Sequence, residues 1–424
     1  MATKTVADID VAGKTVLMRV DFNVPLDKGR ITNDRRIVQA LPTIEYVLDR
    51  GAKLVLMSHC GRPAGKGYEA EFSNKPAAER LSQLLGKPVK LGDGDVGGPA
   101  DQKAVAAMKS GQVILLENVR FNAGEDIIEK AKKNPDKKLT PEQEARQKAF
   151  TDILAKLPAD VYVNDAFGTC HREHVSMYHV AKAIKARGGP AVAGFLVEKE
   201  IKYLDEALKS PKRPFVAVLG GAKVSDKIKL ISKLLGKVDT ILIGGAMAYT
   251  LLKAKGVKVG KSFIDPGFPE ADARALLGKA GAKIMLPCDH VASDFFDPKE
   301  MKAGKPAPVN DVNIPDGLLG LDIGGRTVAE YGKVLSKAGT IVWNGPMGVC
   351  EISDYANGTN AMAKEIAGAT EKGAISIVGG GDSVGAVEKT GLEKKMTHVS
   401  TGGGAALEYM EGKRMPPLEV LDRR

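Results

Sequence analysis

FVAVLGGAKVSDKIKLISKLLGKVDTILIGGAMA, residues 215–248, decides the fold. Phe215–Leu219 and Thr240–Ile243 are unbroken apolar runs, which is how a strand buried on both faces reads. Between them, Ser225–Leu235 repeats apolar residues at helical spacing and predicts a helix. Each strand runs straight into a glycine pair, Gly220–Gly221 or Gly244–Gly245. Strand, tight turn, helix and strand in that order belong to a parallel sheet flanked by helices.

The pattern recurs on both sides of this stretch. Upstream, Thr15–Arg19, Leu54–Met57, Val113–Leu116 and Val161–Val163 read as strands. Downstream, Lys283–Leu286, Thr340–Trp343 and Ile375–Val378 do the same. Helical stretches alternate with them, among them Arg36–Asp49, Pro76–Leu85 and Pro269–Ala280. A chain of 424 residues exceeds one comfortable core, so two domains are expected. The expected fold is α/β, with two Rossmann-like domains, each a mainly parallel sheet flanked by helices. Val197–Ser210, stopped by Pro211 and Pro214, reads as the helix joining them, which places domains at 1–196 and 211–404. The halves share a style but no alignable period, so no internal repeat is expected.

Apolar residues make up 43% of the chain and charged residues 27%, an ordinary globular balance. Net charge is +10, which suits nucleic acid, an anionic membrane surface or small acidic substrates. No basic run carries interleaved aromatics, which argues against single-stranded nucleic acid. No apolar stretch nears the roughly 18 residues that span a bilayer, and the N-terminus lacks the apolar core of a signal peptide. Cys60, Cys170, Cys288 and Cys350 are scattered without a CxxC, which fits a reducing cytoplasm. Residues 125–148 are densely charged and read as a solvated loop and surface helix.

Ligands of open α/β sheets bind beyond the carboxyl ends of the strands. In the first half those ends read RVDFN (19–23), SHCGRP (58–63), LENVRF (116–121) and NDAFGTCHR (164–172). With Arg36 opening a helix, they gather Arg36, Arg62, Arg120, Arg172, His59, Asp21 and Asn23 into an anion pocket. Guanidinium forks match phosphate and carboxylate oxygens. Each arginine alone has a plainer reading as a surface ion pair. In the second half the ends are glycine turns: VLGGAKVSDK (218–227), LIGGAMA (242–248), VWNGPMGVCE (342–351) and VGGGDS (378–383), followed by STGGGA (400–405). Backbone amides at such helix starts bind phosphate. Lys223 and Lys227, four apart, would share one helical face. Asp382 reads either as a magnesium ligand or as a helix N-cap, and Glu351 either as a ribose acceptor or as a surface carboxylate.

Two motifs are set aside. GVKVGKS (256–262) is one residue short of a Walker loop and follows a helix instead of a strand. CHREH (170–174) lacks the second ligand pair a zinc site needs. No general base stands out, which phosphoryl transfer to an ionised carboxylate tolerates, because positioning and charge neutralisation do most of the work.

Taken together, RVDFNVP, SHCGRP, LLENVRF, NDAFGTCHR, LGGAKVSDK, WNGPMGVCE, GGGDS and HVSTGGGA (398–405) resemble phosphoglycerate kinase from about residue 4 to residue 420. The resemblance implies reversible phosphoryl transfer from 1,3-bisphosphoglycerate to ADP, giving 3-phosphoglycerate and ATP. It implies a cytoplasmic monomer that acts on small molecules, with neither nucleic acid nor membrane as partner. Asp21, Phe22, Asn23, Arg36, His59, Cys60, Gly61, Arg62, Arg120 and Arg172 would then hold the acidic substrate. Gly221, Ala222, Lys223, Lys227, Gly244, Gly245, Gly320, Asn344, Glu351, Gly380, Gly381, Asp382 and Ser383 would hold the nucleotide, Asp382 through Mg2+. Arg36, Lys223 and Lys227 would be catalytic. The resemblance further implies hinge-bending closure, with His398 in a hinge segment and residues 405–424 folding back onto the first domain. The chain departs from the pattern at Cys60, Cys350, Gly325 and SMYHVA (176–181), none of them a charged contact. The rivals are another kinase of a small carboxylate, a basic nucleic-acid-binding protein and a non-catalytic relative.

Overall fold

The computed structural model describes residues 2–131 and 138–424. They form two compact units, the first reaching to Ile201 and including Arg414–Arg424, the second spanning Lys202–Lys413. The helix Phe195–Lys209 carries the chain from one to the other.

The first unit is built on a six-stranded sheet in the order Val89–Leu91, Val113–Leu115, Lys53–Met57, Thr15–Val20, Val161–Asp165, Ala191–Ala193. Every pairing is parallel. Thr15–Val20 lies in the middle with all six residues buried, which its unbroken apolar character requires. One side of the sheet packs on the apolar stripe of Arg35–Asp49, through Ile37, Ala40, Ile44, Val47 and Leu48. The strands beside Thr15–Val20 are reached by crossovers running opposite ways. A crevice therefore opens at its carboxyl end, and Asp21 and Asn23 emerge there.

Arg414–Arg424 closes this unit's edge. The amide of Asp422 donates to the Ala191 carbonyl (2.8 Å), Lys185 pairs with Asp422 (2.8 Å), and the Asn164 amide donates to the Pro417 carbonyl (3.2 Å). The helix Gly404–Met410 stays with the second unit, so the returning segment starts at Arg414, later than residue 405.

The second unit repeats the plan in the order Ile284–Met285, Thr240–Ile243, Phe215–Leu219, Thr340–Asn344, Ile375–Gly379, His398–Val399, again all parallel. Its switch point lies between Phe215–Leu219 and Thr340–Asn344. Trp343 is fully buried there, its indole N–H donating to the Gly345 carbonyl (2.8 Å). A side chain of this size contributes roughly 4–6 kcal/mol of apolar burial, and the bonded N–H removes the polar penalty. A second, antiparallel sheet (Ala307–Val309, His290–Ser293, Leu319–Ile323) was not expected from the sequence.

Two readings need correction. The helix after Phe215–Leu219 begins at Ile228, not Ser225, because the Ser225 amide is taken by Asp265 (2.8 Å) and the chain stays in a turn through Lys227. Lys223 and Lys227 therefore share no helical face. The charged run is not solvated throughout, since Glu125 is fully buried, but its helical part is at the surface: Pro141–Ala155 turns inward only through Phe150 and Leu154, beyond the run. Residues 132–137 of that run lie outside the described residues.

Candidate functional site

In the first unit the loops after four strands meet at the crevice. Asp21 leaves the central strand 7% exposed, and Arg36 donates to its Oδ2 at 2.6 Å. Asn23 accepts from the Gly61 amide (2.8 Å), and the Gly61 carbonyl accepts from Arg120 (2.7 Å), so three loops are tied at one glycine. Gly61 has φ +57, and a Cβ there would stand 2.6 Å from the Phe72 ring; no other residue fits. Arg120 is 8% exposed; its Nε makes no hydrogen bond and lies 4.0 Å from Asp126, and burial pulls its pKa below the ordinary value against the pull of that carboxylate. Arg172 donates from Nε to His171 (3.0 Å), and Arg62 is exposed without a bonded partner among the described residues.

Two of the expected substrate-side residues are buried. Phe22 is 1% exposed in the apolar core, and its backbone N–H donates to Ser58 Oγ (2.9 Å). Cys60 is likewise buried, its thiol pushed up by burial and its carbonyl accepting from Asn118 (2.6 Å). Both shape the loop from behind.

His59 is 5% exposed. Arg19 Nη2 lies 3.1 Å from its Nδ1. A guanidinium can only donate, so Nδ1 accepts and the ring proton sits on Nε2. Burial and then Arg120, Arg19, His174 and Arg36 hold His59 well below the usual imidazole pKa, so its 3.9 Å approach to Asp21 is no ion pair. Arg19 was missed by sequence reasoning. The signal was present: a charge inside an otherwise apolar buried run always needs an explanation.

In the second unit three glycine turns lace together at the switch point. The Gly221 amide donates to the Pro346 carbonyl (3.0 Å), and the Gly245 amide to the Met347 carbonyl (2.7 Å). A Cβ at Gly245 would fall 2.5 Å from Gly221 backbone, and one at Gly345 2.2 Å from the Gly220 carbonyl. Gly244 and Gly320 are packed as tightly, against Met347 and the Tyr249 hydroxyl. These glycines bring strand ends together. Gly381 differs: it opens the helix Gly381–Lys389, is exposed, and a Cβ there would meet nothing.

Lys227 donates to Asn344 Oδ1, and burial lowers its pKa against the pull of Asp382. The Asn344 amide in turn donates to the Gly379 carbonyl (2.9 Å). Asn344 thus holds Lys227 in place, with both ends of its side chain committed. Ser383 is buried and accepts from the Gly345 amide (2.5 Å). Lys223 and Ala222 are exposed on the turn, as is Glu351 on its own. Asp382 is not a helix N-cap: Gly380 holds that position, and the Asp382 carboxylate is exposed in the first helical turn. Among the described residues no group of three His, Cys, Asp or Glu side chains is placed to hold a metal by itself, and no helix is long and apolar enough to cross a membrane.

Comparison with known proteins agrees over nearly the full length. Residues 6–413 match the family model described as phosphoglycerate kinase. The chain is 48% identical over 426 residues to phosphoglycerate kinase of Prosthecochloris aestuarii and 47% identical over 429 residues to that of Chlorobium luteolum, all of both chains being covered in each case. Among solved structures, phosphoglycerate kinase from Coxiella burnetii matches with TM-score 0.81 at 38% identity, over 99% of this chain and 98% of that one. The Pyrococcus horikoshii structure matches with TM-score 0.79 at 33% identity and the same coverage.

Proposed function

Because the chain belongs to the phosphoglycerate kinase family, and so transfers a phosphoryl group between 1,3-bisphosphoglycerate and ADP in glycolysis, we propose that the first unit holds the acidic substrate and the second the nucleotide. The observation that carries this division is the charge at the first crevice. Arg36, Arg120 and buried Arg19 act together on His59, and Arg172 adds to the charge at Arg120; among the described residues only Asp21, Asp126 and Glu125 stand against them. An anion with several oxygens relieves that concentration of like charge.

On this reading Arg62, Arg120 and Arg172 grip the phosphate, while His59 and Asn23 orient the glycerate end. Asp21 fixes Arg36, which turns toward the transferring group. Across the reaction, the amides at Gly381 and Asp382 and the ammonium of Lys227 hold the nucleotide phosphates. Lys223, exposed and unpaired among the described residues, steadies the moving charge. Gly244, Gly245 and Gly320 wall the base, and Glu351 takes the ribose. Asp382 is exposed and in no ion pair among the described residues, which fits a Mg2+ held chiefly by phosphate oxygens; bound there, the ion neutralises phosphate charge. The acceptor is already a carboxylate, so no proton leaves and no general base is needed. Four free thiols fit a cytoplasmic enzyme, and a monomer suffices, each set of residues being complete within its unit.

Paired variants test the division. Arg120→Ala should raise KM for 3-phosphoglycerate tenfold or more, using about 1.5–3 kcal/mol for a charged hydrogen bond, with KM for ATP unchanged. Lys227→Ala should do the reverse. Equal effects on both constants in either variant would contradict the assignment.

A further inference from the structure

Beneath the first crevice lies a buried polar chain that the reaction above does not use. Glu125, Ser176, Arg19 and His174 are all fully buried. Glu125 Oε2 accepts from the Ser176 amide (2.9 Å) and its Oε1 from the Ser176 hydroxyl (2.6 Å). Arg19 Nε donates to that hydroxyl oxygen at 2.8 Å. The other Arg19 acceptors are the Val20 carbonyl and His59 Nδ1. Among the described residues no carboxylate touches this guanidinium, although an unpaired buried charge is costly.

Counting protons fixes the direction of every link. Ser176 has one hydroxyl hydrogen and gives it to Glu125, so its oxygen can only accept from Arg19. Arg19 has donors alone, so it must donate both to Ser176 and to His59. The negative charge of Glu125 is thus felt by Arg19 through one hydroxyl, and the Nε bond to that hydroxyl holds the guanidinium where its Nη2 meets His59 Nδ1, which leaves the His59 proton on Nε2. Ser176 is held for this by a π-turn, Val175–His179, whose Ser176 carbonyl accepts from the Tyr162 hydroxyl (2.9 Å). Single π-turns are rare and cluster at functional places. This turn falls on SMYHVA, where the sequence departs from its family's usual run.

We propose that Ser176, backed by Glu125, is a positioning residue for the reaction: through Arg19 it keeps His59 as a neutral Nε2–H donor facing the acidic substrate. The groups facing His59 are Arg19, Arg36 and Arg120 as cations, Asp21 at 3.9 Å, and His174, which also lies 3.8 Å from Glu125. Three cations against Asp21 oppose a charged imidazole. The relay orients the neutral one, which direct charge alone would not do. The inference rests on the assignment of His59 to the substrate.

The experiment uses the full chain labelled with 15N-histidine, the His59 signals being identified by their loss in His59→Gln. Long-range proton–nitrogen correlation reads the tautomer without any substrate. In the native protein His59 should show a bare Nδ1 and a protonated Nε2, and should stay neutral at pH about 6.5, where a free imidazole is half charged. Ser176→Ala should give a tautomer mixture, raise KM for 3-phosphoglycerate about tenfold and leave KM for ATP alone. Ser176→Thr, which keeps the hydroxyl, should restore both. A pure Nε2–H tautomer in folded Ser176→Ala overturns the relay. If the tautomer shifts in Ser176→Ala while KM for 3-phosphoglycerate stays native, and His59→Gln also leaves that constant native, the relay stands and the substrate role of His59 is what fails.

Discussion

Alanine at Gly345 and alanine at Gly381 should act in opposite directions. Gly345 has φ +98, a backbone region that costs an L-residue about 1–2 kcal/mol. Its Cβ would also sit 2.2 Å from the Gly220 carbonyl oxygen and 2.5 Å from the carbonyl carbon. Both are main-chain atoms just past the strand end, where the Gly220 amide donates to the Asn344 carbonyl (3.0 Å), so the strain cannot be shed by a rotamer change, and overpacking adds about 1–3 kcal/mol. Gly345→Ala should therefore lose roughly 2–5 kcal/mol, a large share of a typical total. Gly381 stands in the first turn of a helix, and a Cβ there meets nothing within 4 Å. Gly381→Ala should keep or gain stability, up to about 1 kcal/mol from helix propensity. It should nevertheless raise KM for ATP about tenfold if phosphate seats against that bare backbone. Urea midpoints and nucleotide KM, measured on both variants, separate the two roles. A native urea midpoint for Gly345→Ala would refute the close-packed turns, and an unchanged KM for ATP in Gly381→Ala would refute the phosphate seat.

Lys223→Ala should lower kcat about a hundredfold or more, the loss of one electrostatic donor to the moving group, while its urea midpoint stays native because the side chain is exposed. Asn344→Ala should raise KM for ATP through Lys227, which loses its acceptor; an unaltered constant would show that Lys227 needs no such support. Asp165 is fully buried, with one oxygen unpartnered and the other capping the amides of Leu196 (3.0 Å) and Val197 (3.3 Å). Burial raises its pKa to about 7. The folded chain then holds this proton from about pH 4 to pH 7 while the unfolded chain has released it. Stability from this group is therefore lost as pH rises through that window, about 4 kcal/mol on full titration. Asp165→Asn should flatten that slope in urea titrations taken at several pH values; an identical slope in both proteins would contradict the buried proton.

The sequence was most legible where one physical rule dominated. Parallel strands buried on both faces read as apolar runs, so Phe215–Leu219 and Thr240–Ile243 match residue for residue. Short edge strands such as Val89–Leu91 and Ala191–Ala193 carry too few residues to show a period, and the antiparallel sheet through His290–Ser293 mixes polar and apolar residues. The start of the helix at Ile228 was hidden because a distant carboxylate, Asp265, captures the Ser225 amide. Strand-end arginines stood out in the first unit, since position after an apolar run marks them. Arg19 and Glu125 did not: one sits inside a strand and the other inside a charged run. Only the fold shows that a single hydroxyl, on Ser176, joins them. The glycines were the least decisive signal, because a sequence does not distinguish a residue missing its Cβ for a phosphate from one missing it for a neighbouring strand.

Hydrogen exchange on the whole enzyme, with each substrate added alone, is the most direct test of the central division. Saturating 3-phosphoglycerate should slow amide exchange in residues 21–23, 59–62 and 120–122 and leave 219–223 and 380–383 unchanged; Mg·ATP should protect the second set and spare the first. Protection of 380–383 by 3-phosphoglycerate alone, or of 59–62 by Mg·ATP alone, would contradict the placement of acidic substrate on the first unit and nucleotide on the second.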